Sequence, residues 1–174
     1  MNLRLEAMPR IVVTPEAELD DMLSLHRPEV VVCFGSPSRP PVLPRGVRKT
    51  LGFTFHDITE PREGHVAPTR ADMERFASLV GEWPQRAPLL LQCWMGVSRS
   101  TAAALVALSA LGVTPDDAAQ SLRNAAPFAT PNALMLSHAD AVLRLEGTLV
   151  DAGRRIGRGG TTDRGRAFTL EVPA

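Results

Sequence analysis

The stretch PLLLQCWMGVSRSTAAALVALSALG, from Pro88 to Gly112, decides the fold of this 174-residue chain. It begins with an apolar run that ends at Cys93, continues through a short loop, and enters an alanine-rich segment through Arg99 and Ser100. A short apolar run bounded by turn residues is typical of a buried strand, and a long alanine-rich segment predicts a helix. The stretch therefore predicts a strand, a tight loop and the N-terminus of a helix, which together are suited to hold an anion.

The rest of the chain alternates between strand and helix patterns in the same way. Apolar and β-branched runs predict strands at residues 10–14, 29–34, 50–55 and 88–93, with a possible short edge strand at 167–172. Helical patterns cover residues 15–26, 69–83, 98–111, 115–125 and 131–146. This alternation predicts an α/β fold with a central, mostly parallel sheet of four to five strands flanked by helices.

Four short motifs predict where helices begin. Threonine followed by proline is typical of an N-cap with proline at the first helical position, and threonine with an acidic residue three positions later resembles a capping box. The threonine–proline pairs are Thr14–Pro15, Thr114–Pro115 and Thr130–Pro131, and the capping box is Thr69 with Asp72.

Composition limits the class of protein. Hydrophobic residues make up 44% of the chain and charged residues 22%, which is ordinary for a globular domain. The formal net charge is zero, so no overall field favours nucleic acid or a membrane surface. The chain has two cysteines and no apolar core of signal-peptide length near its start. We therefore expect a cytoplasmic protein that binds neither nucleic acid nor a membrane; the sequence makes no prediction about its oligomeric state.

The C-terminal residues differ in composition from the rest. Residues 153–174 are rich in glycine and arginine, and we predict a main domain at 1–152 followed by this tail as part of the same domain. A mobile, solvated segment is the plain interpretation of such a composition. The alternative is an arginine patch that binds an anionic partner.

The loop after Cys93 has the features of a phosphate-binding site. Backbone N–H groups at the start of a helix have no partner within the helix, and the helix dipole favours negative charge there. Gly96 allows a turn that a residue with a Cβ would resist, and Arg99 can hold two phosphate oxygens with its planar guanidinium. The predicted phosphate-binding residues are Trp94, Met95, Gly96, Val97, Ser98 and Arg99.

The same surroundings suggest a role for Cys93. A helix N-terminus and a neighbouring arginine favour the thiolate form of a cysteine, which is the nucleophilic form. The plain alternative is a structural cysteine at the end of a buried strand, with Arg99 on the surface. A thiol used for redox chemistry or sulfur transfer is a further alternative, although no second cysteine stands close by in a CxxC pair.

These residues resemble a known family. The segment CWMGVSRS, from Cys93 to Ser100, resembles the signature loop of cysteine-dependent protein tyrosine phosphatases, and its Gly-x-Ser-Arg-Ser ending is most similar to the dual-specificity branch, in a compact, bacterial-type form. Residues Arg123 to Asn132 resemble the segment that follows the signature helix in that family. The likeness extends from the first strand to the helix after Asn132, and implies a protein tyrosine phosphatase-like fold.

The resemblance also implies a mechanism. Cys93 attacks the phosphoryl group to form a phosphocysteine intermediate, and water then hydrolyses it. Arg99 holds the phosphate, and Ser100 stabilises the departing thiolate. The implied substrate is a phosphorylated protein or a small phosphomonoester. The loop has no lysine, which argues for a phosphoprotein rather than a phosphoinositide.

Family members supply a general acid from an aspartate on a loop upstream of the cysteine. Asp57 has this place, at the end of the predicted strand 50–55 and the start of a long polar loop. Glu60 and Glu63 are rivals on the same loop, and an enzyme without a dedicated acid is a further alternative. Asp57 as a plain turn residue is the structural interpretation.

One residue departs from the family pattern. Gln92 precedes the cysteine where the family usually has histidine. Glutamine can form hydrogen bonds but cannot carry charge, so we expect weaker support for the thiolate and an active enzyme. The alternative is a phosphate- or phosphopeptide-binding module with little turnover.

Three further expectations concern other side chains. No set of histidines and carboxylates has metal-ligand spacing, so we expect no metal and no cofactor. Cys33 ends its own strand, and in some relatives a second cysteine traps the nucleophile in a disulfide; a plain buried cysteine is the other interpretation. Trp94 could form a wall for an aromatic substrate or pack beneath the loop as core.

Overall fold

The computed structural model describes residues 8–173 of the chain. Residues 1–7, which hold most of the segment assessed above for a signal peptide, and residue 174 lie outside the described residues. Within residues 8–173, no helix is both long enough and apolar enough to cross a membrane.

A five-stranded sheet forms the centre of the described structure. Its strand order is β3-β2-β4-β1-β5, with parallel pairing throughout except for the edge strand β5, which runs antiparallel to β1. The strands are β1 (Arg10–Pro15), β2 (Val30–Gly35), β3 (Lys49–Thr54), β4 (Leu89–Cys93) and β5 (Phe168–Glu171). The predicted α/β fold with a mostly parallel sheet is therefore confirmed.

Helices cover both faces of the sheet unequally. The side chains of α1 pack with a small cluster on one face, while residues of the later helices pack into a large core on the other face. After a 3₁₀ turn at Glu16–Glu18, the helices are α1 (Leu19–His26), α2 (Arg70–Gly81), α3 (Arg99–Ala110), α4 (Pro115–Ala125), α5 (Ala133–Leu143) and α6 (Thr148–Ile156).

Helix α3 lies at the centre of the large core. Its residues from Arg99 to Ser109 are all buried, and they pack against α2, α4, α5 and the sheet. The run Ala102–Ala104 keeps the helix narrow, so that neighbouring helices can approach it closely on several sides. This burial fixes the N-terminus of α3 beside the carboxyl end of β4, which is where ligands bind in open α/β sheets.

The predicted helix starts are confirmed at two places and wrong at two others. The Thr69–Asp72 capping box is present, and the Thr114 hydroxyl accepts from the Asp117 N–H at 3.2 Å. Pro15 does not begin a helix, because β1 continues through it in register with Cys93. Thr130 does not cap α5 either, because the Asn132 side chain accepts from the Met135 N–H at 2.9 Å.

The C-terminal part contains more regular structure than its composition predicts. Helix α6 was not predicted, because its glycine and arginine residues weaken the helical pattern. Where we expected a solvated tail, the segment after α6 forms backbone hydrogen bonds to residues 95 and 127 before it enters the sheet as β5. The boundary proposed at residue 152 falls within α6, and the division into domain and tail stays a prediction.

The start of α6 depends on a buried carboxylate in α5. Asp140 is 7% exposed and accepts hydrogen bonds from the N–H groups of Gly147, Leu149 and Val150, while Gly147 at the N-cap has no side chain to do so. We predict that Asp140→Ala lowers the free energy of unfolding by about 3 kcal/mol, because it leaves buried N–H donors without an acceptor.

Urea unfolding measures this change, with Asp151→Ala as the control. Asp151 is an exposed acidic residue in the first turn of α6, so its loss has a clearly smaller effect. Equal unfolding midpoints for the two variants would contradict the prediction.

Candidate active site

The loop between β4 and α3 is held from outside through its carbonyl groups. Its carbonyls point towards N–H donors from three distant parts of the chain. The donor–acceptor pairs are Glu16 N to Trp94 O at 3.2 Å, Gly165 N to Met95 O at 2.9 Å, Thr130 N to Val97 O at 2.9 Å, and Asn132 N to Ser98 O at 3.3 Å.

The N–H groups of the same loop have no hydrogen-bond acceptor in the part of the chain that the structure describes. A trans peptide unit is planar, so its N–H points away from its C=O, and carbonyls held outward turn the amides inward. Among residues 8–173, no group accepts a hydrogen bond from the backbone N–H of any residue from Met95 to Thr101. A run of inward-facing donors at a helix N-terminus is an anion-binding arrangement.

Gly96 is required for this loop conformation. Its φ is +66°, in the left-handed region that favours glycine. A Cβ at this position would lie 2.8 Å from the Pro15 nitrogen, at the end of β1. The loop is therefore pressed against the neighbouring strand at the one residue that has no side chain.

Arg99 is buried and only partly satisfied. It is 6% exposed, and its Nη1 donates to the carbonyls of Gly35 at 2.8 Å and Phe55 at 3.0 Å. Its Nε is buried without any partner in the described residues. One nitrogen thus anchors the guanidinium to the last residue of β2 and the residue after β3. A buried charged donor without a partner is costly, so the Nε is suited to bind a ligand.

Cys93 lies beneath the loop. It is 3% exposed, and its Sγ is 3.0 Å from the Ser100 Oγ at the start of α3. Either atom can be the donor in this contact, so the hydroxyl can donate to the sulfur when the cysteine is a thiolate. The structure therefore brings together the predicted nucleophile and Ser100.

Asp57 is fixed beside the loop, in contact with one of its residues. Its Oδ1 accepts from the Ser98 hydroxyl and from the Asn132 side-chain amide, both at 2.7 Å. The Asp57 side chain is otherwise exposed. Glu60 and Glu63 are also exposed, and neither carboxylate hydrogen-bonds to the loop within residues 8–173. Of these three acidic residues, Asp57 is therefore the one that contacts the loop between β4 and α3 within the described residues.

Asn132 is a site residue that the sequence analysis missed. It is 1% exposed, and its Nδ2 donates to both Asp57 Oδ1 and the Ile58 carbonyl at 3.0 Å, while its Oδ1 caps α5. The available signal was its place in a segment that resembles the family, after a proline. The Thr130–Pro131 pair just before it has the more common N-cap pattern, so the N-cap was predicted at Thr130 instead.

Trp94 does not pack beneath the loop as core. It is 49% exposed, and the Arg39 guanidinium lies over its ring at 4.5 Å from the centroid. Arg39 also pairs with Glu16 at 3.1 Å. Trp94 and Arg99 line a cavity of about 350 Å³ together with Gln92 and the proline-rich loop after β2. Trp94 is therefore placed as a wall of a cavity that reaches the arginine.

Gln92 is buried on a different side of the strand from Cys93. Side chains alternate along a strand, and Gln92 is 4% exposed, in register with Cys33 of β2. Cys93 instead belongs to the large core, in register with Phe34. The departure from the family pattern therefore lies next to the loop in sequence but faces the α1 side of the sheet.

Cys33 is placed as a plain buried cysteine. It belongs to the small cluster with Val12, Val31 and Leu90 on the α1 face, whereas Cys93 lies on the opposite face. Burial raises the pKa of the Cys33 thiol to about 12, with a smaller contribution from the Glu16 carboxylate. A disulfide between the two cysteines would have to pass through the sheet.

Two histidines lie on the polar loop that carries Asp57, and they contact each other and the backbone of that same loop. The rings of His56 and His65 lie 4.8 Å apart, and His56 Nδ1 accepts from the Val66 N–H at 2.9 Å. Within residues 8–173, no group of three or more histidine, cysteine or acidic side chains is arranged to hold a metal ion.

Comparison with known proteins identifies the fold. No protein-family model and no curated protein matches the sequence significantly, whereas 12 chains of solved structures do match the structure. Human DUSP28 matches with a TM-score of 0.60 and 18% identity, over 78% of this chain and 92% of that chain. DUSP15 matches with a TM-score of 0.57 and 11% identity, over 86% and 91%.

A third similar structure is a mouse protein provisionally called a dual specificity phosphatase, in complex with zinc tungstate. It matches with a TM-score of 0.56 and 17% identity, over 90% of this chain and 96% of that chain. The chain therefore has the fold of dual-specificity phosphatases, and the fold implied by the signature loop is confirmed. At these identities the likeness concerns the fold alone.

We predict that mild oxidation of the native protein produces no disulfide between Cys33 and Cys93. The two side chains lie on opposite faces, and Cys33 stays a protonated thiol until the pH approaches 12, so it cannot attack an oxidised Cys93 near neutral pH. Intact mass and peptide mapping after peroxide treatment test this, with Cys33→Ser as the control. Two peptides joined by a Cys33–Cys93 disulfide, found in the oxidised wild type and absent from Cys33→Ser, would contradict the prediction.

Proposed function

We propose that this protein is a phosphomonoester hydrolase that acts through a phosphocysteine intermediate, as a protein tyrosine or dual-specificity phosphatase. The observation that carries the proposal is the set of donors near Cys93 that have no acceptor within residues 8–173: the backbone amides from Met95 to Thr101 and the buried Nε of Arg99. A dianionic phosphoryl group is a ligand that satisfies several such donors at once. The fold shared with dual-specificity phosphatases supports the same conclusion.

In the first step, the Cys93 thiolate attacks phosphorus. A bond forms between Sγ and phosphorus, and the bond from phosphorus to the substrate oxygen breaks. The loop amides and Arg99 stabilise the charge on the equatorial oxygens in the transition state. Because the donors are already fixed by the surrounding segments, little reorganisation is needed when the charge develops.

The leaving oxygen needs a proton, and we assign this role to Asp57. Both of its hydrogen bonds fall on Oδ1, which fixes the carboxyl group beside the loop while Oδ2 carries the proton to the leaving group. In the second step, the Asp57 carboxylate accepts a proton from the attacking water. Water displaces the Cys93 sulfur from phosphorus, and the Ser100 hydroxyl donates to the departing thiolate.

The surroundings of the loop indicate the class of substrate. Trp94 offers an aromatic wall beside the loop between β4 and α3, and no lysine lies within this loop to meet the extra phosphates of an inositol lipid. These features favour a phosphorylated protein, with phosphotyrosine as a suitable side chain, or a small aryl phosphate. The general acid is needed most when the leaving group is a poor one.

A binding module with little turnover is the second candidate, and Gln92 is the observation that favours it. The Gln92 side chain is neutral and faces the α1 side of the sheet, so it supplies no positive charge to stabilise a Cys93 thiolate. The loop amides and Arg99 would still bind a phosphate group. The two candidates differ in one result, which is the release of inorganic phosphate.

We predict that wild-type protein hydrolyses a simple aryl phosphate without added metal, in the presence of a reductant. Cys93→Ser abolishes phosphate release and retains oxyanion binding, because serine fills the same site without a thiolate. Steady-state kinetics and tungstate titration measure the two properties separately. Oxyanion binding by the wild type without any phosphate release would favour the binding module.

We predict that Asp57→Asn lowers kcat by about 100-fold or more for a phosphotyrosine peptide. The variant loses much less activity on a substrate whose leaving group needs no proton, because asparagine keeps the shape of the side chain but cannot donate a proton. Glu60→Gln is the matched control on the same loop and retains wild-type rates on both substrates. A larger loss in Glu60→Gln than in Asp57→Asn would assign the acid role to Glu60 instead.

We predict that Asn132→Ser lowers kcat by about tenfold through Asp57. Serine keeps an oxygen to cap α5 but removes the amide donor to Asp57 Oδ1, so the acid loses its fixed position. Asn124→Ser, at an exposed position in α4, is the control. In an Asp57→Asn background, Asn132→Ser should have little further effect, and full additivity of the two losses would contradict this role.

A further inference from the structure

The glycine- and arginine-rich segment between α6 and β5 is fastened at several points. The Arg123 guanidinium donates to the carbonyls of Pro127 and Ala129 and also to those of Ile156 and Gly157, at 2.7 to 3.0 Å. This one side chain joins the segment that precedes α5 to the end of α6, and so fixes where the C-terminal segment begins.

The same segment is fastened again further along. Gly159 N donates to the Thr130 hydroxyl at 3.0 Å, and Gly160 N donates to the Pro127 carbonyl at 2.9 Å. At the far end, Ala167 N donates to the Glu18 carboxylate at 2.9 Å before β5 pairs with β1. The chain between these attachments therefore has a defined path.

Gly165 lies between these attachments and contacts the candidate phosphate-binding loop. It is buried, although its neighbours Arg164 and Arg166 are exposed, and its N–H donates to the Met95 carbonyl at 2.9 Å. Met95 and Gly96 share one peptide unit, whose N–H belongs to Gly96. Because that unit is planar, holding its carbonyl towards Gly165 turns the Gly96 N–H to the opposite side, where the phosphate would bind.

The close approach at this point depends on glycine. A Cβ on Gly165 would lie 2.8 Å from the Gly96 carbonyl oxygen, 3.1 Å from the Met95 carbonyl oxygen and 2.7 Å from the Phe128 ring. Two of these three atoms are backbone atoms of the loop itself. Any larger residue must therefore displace either the loop or the segment that supports it.

We propose that Gly165 is a positioning residue for the phosphate-binding loop, through which the C-terminal segment sets the direction of the Gly96 amide. The proposal rests on the proposed function, since it takes the loop as the phosphate site. The Gly165 N–H does not touch the phosphate; it acts by holding the Met95–Gly96 peptide. The C-terminal segment is thereby part of the binding site, although its exposed arginines are not.

The chain offers a matched pair of variants to test this. Gly165→Ala places a methyl group against the loop carbonyls, whereas Gly160→Ala, on the same segment, has only the Pro127 carbonyl at 3.9 Å. Neither glycine has a positive φ, so alanine can adopt the backbone conformation at both positions, and the two variants differ only in what the added methyl group contacts. Isothermal titration with tungstate and with inorganic phosphate measures the affinity, and hydrolysis of an aryl phosphate gives kcat and KM.

We expect Gly165→Ala to bind both oxyanions about tenfold more weakly, the size of one charge-assisted hydrogen bond, and Gly160→Ala to match the wild type. A purely structural role would lower the thermal midpoint of Gly165→Ala and leave the oxyanion affinity of the folded protein unchanged, which would overturn the proposal. If the wild type binds oxyanion without hydrolysing the aryl phosphate, the proposed enzymatic function is wrong, but the affinities of the wild type and Gly165→Ala still test the proposal for Gly165. A wild type that binds no oxyanion would overturn both.

A measurement on the wild type decides the matter if Gly165→Ala does not fold. When an oxyanion accepts from the Gly96 N–H, it polarises the Met95–Gly96 peptide and strengthens the hydrogen bond that its carbonyl accepts. In ¹⁵N-labelled protein titrated with phosphate, the Gly165 amide proton should therefore shift downfield, whereas the Gly160 amide proton should not. A shift at Gly96 without any shift at Gly165 would overturn the proposal.

Discussion

The structure depends on keeping a run of backbone N–H groups unpartnered at the end of β4. Buried donors without acceptors are costly, so a loop left to itself would turn them towards its own carbonyls or towards water. Here the carbonyls are already taken by N–H groups of Glu16, Thr130, Asn132 and Gly165. Because each peptide unit is planar, binding the outer side of the loop is enough to fix the direction of the inner side.

The core makes this arrangement possible. Helix α3 is buried along almost its whole length, and its small alanine side chains let three helices and the sheet pack around it. Its N-terminus therefore cannot move away from the strand ends. Arg99 adds a connection across the sheet, because its Nη1 donates to the carbonyls of Gly35, the last residue of β2, and Phe55, the residue after β3. The stability of the core thus supports a site whose own groups are only partly satisfied.

Asn132 couples two parts of the site that are far apart in the chain. It caps α5 with its side-chain oxygen and holds Asp57 with its side-chain nitrogen, while its backbone N–H holds the Ser98 carbonyl. Ser98 in turn donates to the same Asp57 oxygen. The loop, Asp57 and the start of α5 are therefore positioned together by this one side chain and its backbone N–H.

The sequence by itself determined the sheet, most of the helices and the residues of the loop, because these follow from local patterns. Apolar runs, the Thr69–Asp72 capping box, and the spacing of Cys93, Gly96 and Arg99 are all readable over a few residues. The likeness to the family added Asp57 as a candidate. Only the tertiary structure decided what surrounds these residues: Asn132 beside Asp57, Cys33 on the far face, Trp94 in the open, and Gly165 behind the loop. The reason is that these contacts join residues distant in sequence, and hydrogen bonds between such segments leave no periodic or compositional signal. A glycine chosen for close approach to a distant loop has the same letter as one chosen for flexibility.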